Sequence, residues 1–150
     1  MENQNDPERL IFKLLHMLKR QTDKAAIEHV GALMPGDFNI TFMPYFMNIG
    51  MEGITNHDLV DKIKVTKQGV SKTVKELERL GLVFTDKNEN DARSIMIHLT
   101  PEGKIFYTAI GQMANEMTEK YIKLVGAKKY KDFIDTIITI TEFHTEHNNS

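Results

Sequence analysis

The stretch Thr55-Asn56-His57-Asp58-Leu59-Val60-Asp61-Lys62-Ile63-Lys64-Val65-Thr66-Lys67-Gln68-Gly69-Val70-Ser71-Lys72-Thr73-Val74-Lys75-Glu76-Leu77-Glu78-Arg79-Leu80-Gly81 decides the fold. It opens on Thr55 with Asp58 three residues later, a capping-box arrangement that supplies acceptors for orphan backbone donors at a helix start. Leu59, Val60 and Ile63 form the apolar face of a short helix. After a tight connection at Lys64-Val65, Thr66 is the cap of a second helix, whose Val70, Val74, Leu77 and Leu80 recur at spacings of four, three and three. Gly81 closes that helix in the left-handed conformation glycine adopts without steric cost.

Working outward, Leu82-Val83-Phe84 and Ser94-Ile95-Met96-Ile97-His98-Leu99 read as two strands, the second alternating with Ile95, Ile97 and Leu99 on one face. The polar run Asp86-Lys87-Asn88-Glu89-Asn90-Asp91 joins them as a hairpin loop. Thr100-Pro101-Glu102 opens a long helix striped by Phe106, Ile110, Met113, Met117, Tyr121 and Leu124 and ended by Gly126. A last helix carries Tyr130, Phe133, Ile134, Ile137 and Ile140, with a frayed tail expected after His144. Upstream, Asp6-Pro7-Glu8 predicts the start of an unusually long helix that runs to Met34-Pro35-Gly36. A shorter helix is expected from Thr41 to about Ile49, with Pro44 in its first turn. The fold class is therefore mainly α with one small β-hairpin.

Composition narrows the function classes. The chain has 150 residues, enough for one domain with a real core, and 41% hydrophobic and 27% charged residues are ordinary for a globular protein. With no cysteine, disulfides, thiolate metal sites and thiol redox sensing are excluded. There is no apolar run of about 18 residues, and Met1-Glu2-Asn3-Gln4-Asn5-Asp6 is polar and acidic, so no membrane partner and a cytoplasmic location are expected. Nineteen Lys and Arg against 21 Asp and Glu give a net charge of −2, so any nucleic-acid surface must be local.

One local surface stands out. Lys62, Lys64, Lys67, Lys72 and Lys75 occur with no acid from Lys62 to Lys75. If Val70, Val74 and Leu77 are buried, the opposite face presents Thr66, Lys67, Gln68, Ser71, Lys72 and Lys75, donors suited to phosphates and base edges. The competing reading is a solvated lysine face on an ordinary helix. Gly69 costs roughly 0.5 to 1 kcal/mol relative to Ala in a helix interior, so its use points to close packing in the turn or close approach to DNA.

Four pieces in order resemble the multiple antibiotic resistance regulator (MarR) family: Val65-Thr66-Lys67-Gln68-Gly69-Val70-Ser71-Lys72, Leu77-Glu78-Arg79-Leu80-Gly81-Leu82-Val83, Asp91-Ala92-Arg93, and Leu99-Thr100-Pro101-Glu102-Gly103. The resemblance implies a winged helix-turn-helix lobe at about residues 38–103, with dimerisation helices at 6–34 and 104–147. It implies a homodimer on double-stranded DNA, with half-sites about one helical turn, roughly 34 to 36 Å, apart. It assigns Arg93 to the minor groove and Asp91 to orienting it, with Lys87 in the wing; a carboxylate two residues away can fix a long guanidinium. The wing departs from the pattern, since Asp86 and Glu89 flank its one lysine.

The resemblance further implies a repressor responsive to a small aromatic or anionic effector. The run Phe42-Met43-Pro44-Tyr45-Phe46-Met47 offers Met43, Phe46 and Met47 as pocket residues, against the alternative of plain core. Six histidines, His16, His29, His57, His98, His144 and His147, invite a metal reading, and His144-x-x-His147 could chelate from one helical turn, but with no cysteine and a frayed tail no metal or other cofactor is expected. No nucleophile elbow, phosphate-binding glycine loop or His-Glu-x-x-His is present, so no catalytic residues are assigned and an enzyme is not expected. The runner-up is a winged-helix protein-interaction module without sequence-specific DNA binding, favoured by the net acidity.

Overall fold

The computed structural model describes residues 6–148; the polar start at residues 1–5 lies outside the described residues. Asp6 does act as a cap, its carboxylate accepting the Glu8 amide at 3.0 Å, but of a single 3-10 turn, Pro7–Arg9. Leu10 is extended, and the first helix, α1, spans Ile11–Val30. A cap followed by proline suits a first turn of either kind, which is why the expected start fell early. The end came early too, because Pro35 disfavours helical geometry in the residue before it and the chain leaves α1 through turns from Gly31 to Met34.

The next segment was expected to start at Thr41, and its cap is Asn39. Its Oδ1 accepts both the Thr41 amide at 3.0 Å and the Thr41 hydroxyl at 2.9 Å. A 3-10 turn at Ile40–Phe42 then leads into the short helix α2, Met43–Met47. Next comes a strand the sequence did not announce, β1 at Ile54–Thr55. Helix α3 follows at Asn56–Ile63, with the Thr55 hydroxyl accepting the Asp58 amide at 3.1 Å. Lys64 makes the turn with φ 54 and ψ 48, and α4 runs Lys67–Arg79 behind its cap Thr66.

The hairpin is β2, Val83–Lys87, and β3, Ile95–Leu99. The three strands are antiparallel in the order β1-β3-β2, with Ile54 opposite Ile97, Val83 opposite Leu99 and Lys87 opposite Ile95. β2 therefore takes Thr85, Asp86 and Lys87 from the expected loop or its edge. On the alternating face Ile97 and Leu99 are buried, but Ile95 is exposed, because the hairpin there extends past the helices. Leu59, Val70, Val74, Leu77, Val83, Ile97 and Leu99 close one core beneath the sheet. That core continues into an aromatic cluster of Phe38, Phe46 and Phe106, with ring centroids 5.1 to 6.3 Å apart and two of the three pairs edge-to-face.

Two long helices complete the chain: α5, Pro101–Val125, and α6, Ala127–Asn148. The start of α5 is locked to the end of α4. The Thr100 hydroxyl accepts the Gly103 amide at 2.9 Å and donates to the Gly81 carbonyl at 2.6 Å, while the Thr100 amide donates to the Leu82 carbonyl at 3.0 Å. A Cβ on Gly103 would stand 2.0 Å from that Leu82 oxygen, so only glycine fits. The chain reverses at Gly126, whose φ of +93 suits glycine. α6 stays helical through Asn148, past the expected fraying point, with no buried residue along its length.

Candidate nucleic-acid interface

The geometry of α4 follows from its pattern. Val70, Thr73, Val74 and Leu77 are buried, and Thr66, Lys67, Gln68, Ser71, Lys72 and Lys75 are all exposed on the opposite side. Thr66 spends its hydroxyl oxygen on the Gly69 amide at 3.0 Å, so its first task is to cap the helix. Gly69 is explained by crowding at the same place: an added Cβ would meet Thr66 Oγ1 at 3.1 Å and the Tyr45 hydroxyl at 3.3 Å. The close approach of Tyr45 from α2 leaves little room for a side chain there.

Charge on α4 is deployed differently from charge elsewhere. On the flanking helices lysines pair with carboxylates one turn on, as in Lys19 with Asp23 and Lys128 with Asp132. Among the described residues, Lys62, Lys64, Lys67, Lys72 and Lys75 have no such partner. Unpaired ammonium groups held on one face are free to exchange counterions for phosphates. At the far end of α4, Arg79 binds Glu76 of the same helix at 3.0 Å and Asp37, from the loop after α1, at 3.3 Å. The Glu76 and Asp37 carboxylates hold the Arg79 pKa above its ordinary value.

Two grooves flank this face. One of about 260 Å³ runs between α4 and the hairpin, bounded by Lys67, Ser71, Lys75, Thr85 and Ile95, with Asn56 and His57 at the α3 end. The other, about 580 Å³, lies between α2 and α4 beside Lys72, Phe42 and Tyr45. Phe46 lines neither of them; it is wholly buried against Phe38, Phe106 and Tyr107. Met43 and Met47, expected with Phe46 to line a pocket, are partly buried against the same core. Residues at that spacing on a short helix fill space rather than enclose it. The aromatic residues that do line a groove are their neighbours Phe42 and Tyr45, which periodicity alone could not separate from them.

In the hairpin, Lys87, Asp91 and Arg93 are exposed. Asp91 acts on Arg93 through the backbone: its Oδ1 accepts the Arg93 amide at 2.9 Å. The carboxylate fixes the turn from which the guanidinium projects, rather than gripping the guanidinium. Asn88 ties the loop across its base, donating to Ser94 Oγ at 2.8 Å and, by its amide, to the Ser94 carbonyl at 3.3 Å. Asn56, which the sequence reading did not single out, accepts the Ile95 amide at 3.2 Å from the start of α3. No group of three or more His, Asp or Glu able to hold a metal ion occurs among the described residues. No helix among them is long and apolar enough to cross a membrane.

Helix, left-handed turn, helix and an antiparallel hairpin, with unpaired lysines on the second helix, define a winged helix-turn-helix of the kind found in transcriptional regulators. A model of the MarR family matches residues 43–94, the segment from α2 through the wing. The transcriptional regulator FarR of Neisseria gonorrhoeae is 29% identical over 72 residues, 48% of this chain and 49% of that protein. The match thus spans about half the length of that curated relative. FabT of Streptococcus pneumoniae, solved in complex with DNA, superposes with a TM-score of 0.72 at 22% identity over 94% of this chain and 99% of its own. A MarR-family regulator from Listeria monocytogenes, solved with a 26mer DNA, gives 0.75 at 19% identity over 93% and 91%. These likenesses extend the shared fold beyond the matched segment to α1, α5 and α6.

Proposed function

We propose that the protein is a DNA-binding transcriptional regulator that acts as a homodimer, with α4 of each protomer in a major groove and Arg93 of each wing at the adjacent minor groove. The observation that carries the proposal is the row of lysines on α4 without carboxylate partners, in a chain whose net charge is −2. The DNA complexes of the FabT and Listeria proteins support it.

The dimer rests on a second feature. Ile11, Phe12, Leu14 and Leu15 of α1 and Phe133, Ile137, Ile138 and Phe143 of α6 are exposed in the protomer. Apolar surface on that scale marks a partner surface. Residues 6–34 and 104–147 then serve dimerisation, and residues 38–103 form the DNA-reading lobe. Repression follows if the operator overlaps a promoter, and a small aromatic or anionic effector that seats beside Lys72 or Lys75 would compete with phosphate. Fluorescence titration against DNA from upstream of its own gene tests this reading. The wild type is expected to bind, and Lys72→Ala and Lys75→Ala to bind more weakly. Failure of the wild type to bind any such fragment favours the protein-interaction module instead.

A further inference from the structure

The geometry points to Asn56 as the residue that positions the wing. Strand β1 is only two residues long, because Thr55 leaves the sheet to cap α3. Its register with β3 sets Ile54 opposite Ile97 and Thr55 opposite Met96, so the next rung falls at Asn56 and Ile95. By then the backbone of Asn56 is helical and its carbonyl is turned into α3. The side chain supplies the missing acceptor: Asn56 Oδ1 takes the Ile95 amide at 3.2 Å, across 39 residues of sequence. One amide side chain thereby extends the ladder by a rung after the strand has ended.

The placement matters because Ile95 begins β3 two residues after Arg93, with Ser94 buried between them. On the other strand of the hairpin this level is Lys87. Past that rung, the bonds described for the loop join it only to itself. Asn56 also stands at the end of the groove that separates the wing from Lys67, Ser71 and Lys75. It is therefore the outermost bond between the helix-turn-helix and the wing, and it sets the distance from α4 to Arg93. Asn56 needs no contact with DNA for this, so it is a positioning residue. The inference rests on the proposed use of Arg93 against DNA, but its first test does not.

Backbone amide exchange of the intact protein provides that test. In Asn56→Ala the Ile95 amide is expected to exchange about three- to tenfold faster than in wild type, the loss of one neutral hydrogen bond. Asn56→Asp keeps an acceptor oxygen in place and is expected to restore the protection. Unchanged Ile95 exchange in Asn56→Ala overturns the inference whatever the protein does with DNA. Affinity for upstream DNA gives the second test, in a cycle of Asn56→Ala, Arg93→Ala and the double variant. The Asn56→Ala loss, again about three- to tenfold, should vanish when Arg93 is already absent. Additive losses show that Asn56 acts elsewhere and overturn its positioning role. If wild type does not bind DNA at all, the exchange result stands and the proposed function fails by itself.

Discussion

Replacing Gly103 with alanine sets two physical terms against each other. Gly103 lies in the first turn of α5, where alanine should be better than glycine by about 0.5 to 1 kcal/mol on helix propensity alone. The structure predicts the opposite sign. The new Cβ would lie 3.0 Å from the Leu82 carbonyl carbon and 2.0 Å from its oxygen, the second a distance that real Cβ atoms do not tolerate. The atom in the way is backbone, already fixed as the acceptor for the Thr100 amide at 3.0 Å. Moving either side opens that bond and pulls the Gly103 amide from the Thr100 hydroxyl that caps α5. A buried hydrogen bond left unmade costs about 1 to 3 kcal/mol and a lost cap about 1. Set against the propensity gain, the expected net loss is about 1 to 3.5 kcal/mol. For a chain of 150 residues that is a fall in Tm of roughly 2 to 14 °C. Thermal unfolding followed by circular dichroism measures it, at one protein concentration for both proteins, because a dimer's Tm depends on concentration. A Gly103→Ala protein as stable as wild type, or more so, would refute the interlock between the end of α4 and the start of α5.

Ile137→Asp places a charge on the apolar face of α6 and is expected to yield monomers by light scattering, with much weaker operator binding; a variant that remains dimeric contradicts the use of that face. Phe46→Ala removes a fully buried ring from the aromatic cluster and should cost about 3 to 5 kcal/mol in denaturant unfolding. A loss under 1 kcal/mol would contradict its close packing in that cluster.

The parts of the fold that were legible in the sequence are those specified by neighbours in the chain. Thr55, Thr66 and Thr100 each cap the helix that follows them, and the spacing of Val70, Val74 and Leu77 fixed which side of α4 faces outward. What was illegible depends on partners far away. Strand β1 has two residues, too few for any periodicity, and it exists because β3 pairs with it from more than forty residues on. Lys64 turns left-handed without the glycine or asparagine that would advertise it, and the packing of α3 on α4 imposes the turn. Among the site residues, exposure of the α4 lysines could be read from the helix period, whereas their lack of partners could not. The roles of Met43, Phe46 and Met47 turned on three-dimensional filling, and that of Asp91 on a bond to the backbone of Arg93.

What separates a DNA-reading α4 from a basic surface of no consequence is the salt dependence of binding to the upstream DNA. With Lys67, Lys72 and Lys75 of both protomers on phosphates, at about 0.9 per contact, the plot of log K against log salt should have a slope near −5. Lys72→Ala, which removes one contact per protomer, should flatten that slope by about 2. A slope near zero, or one that Lys72→Ala leaves unchanged, would contradict the placement of α4 on DNA.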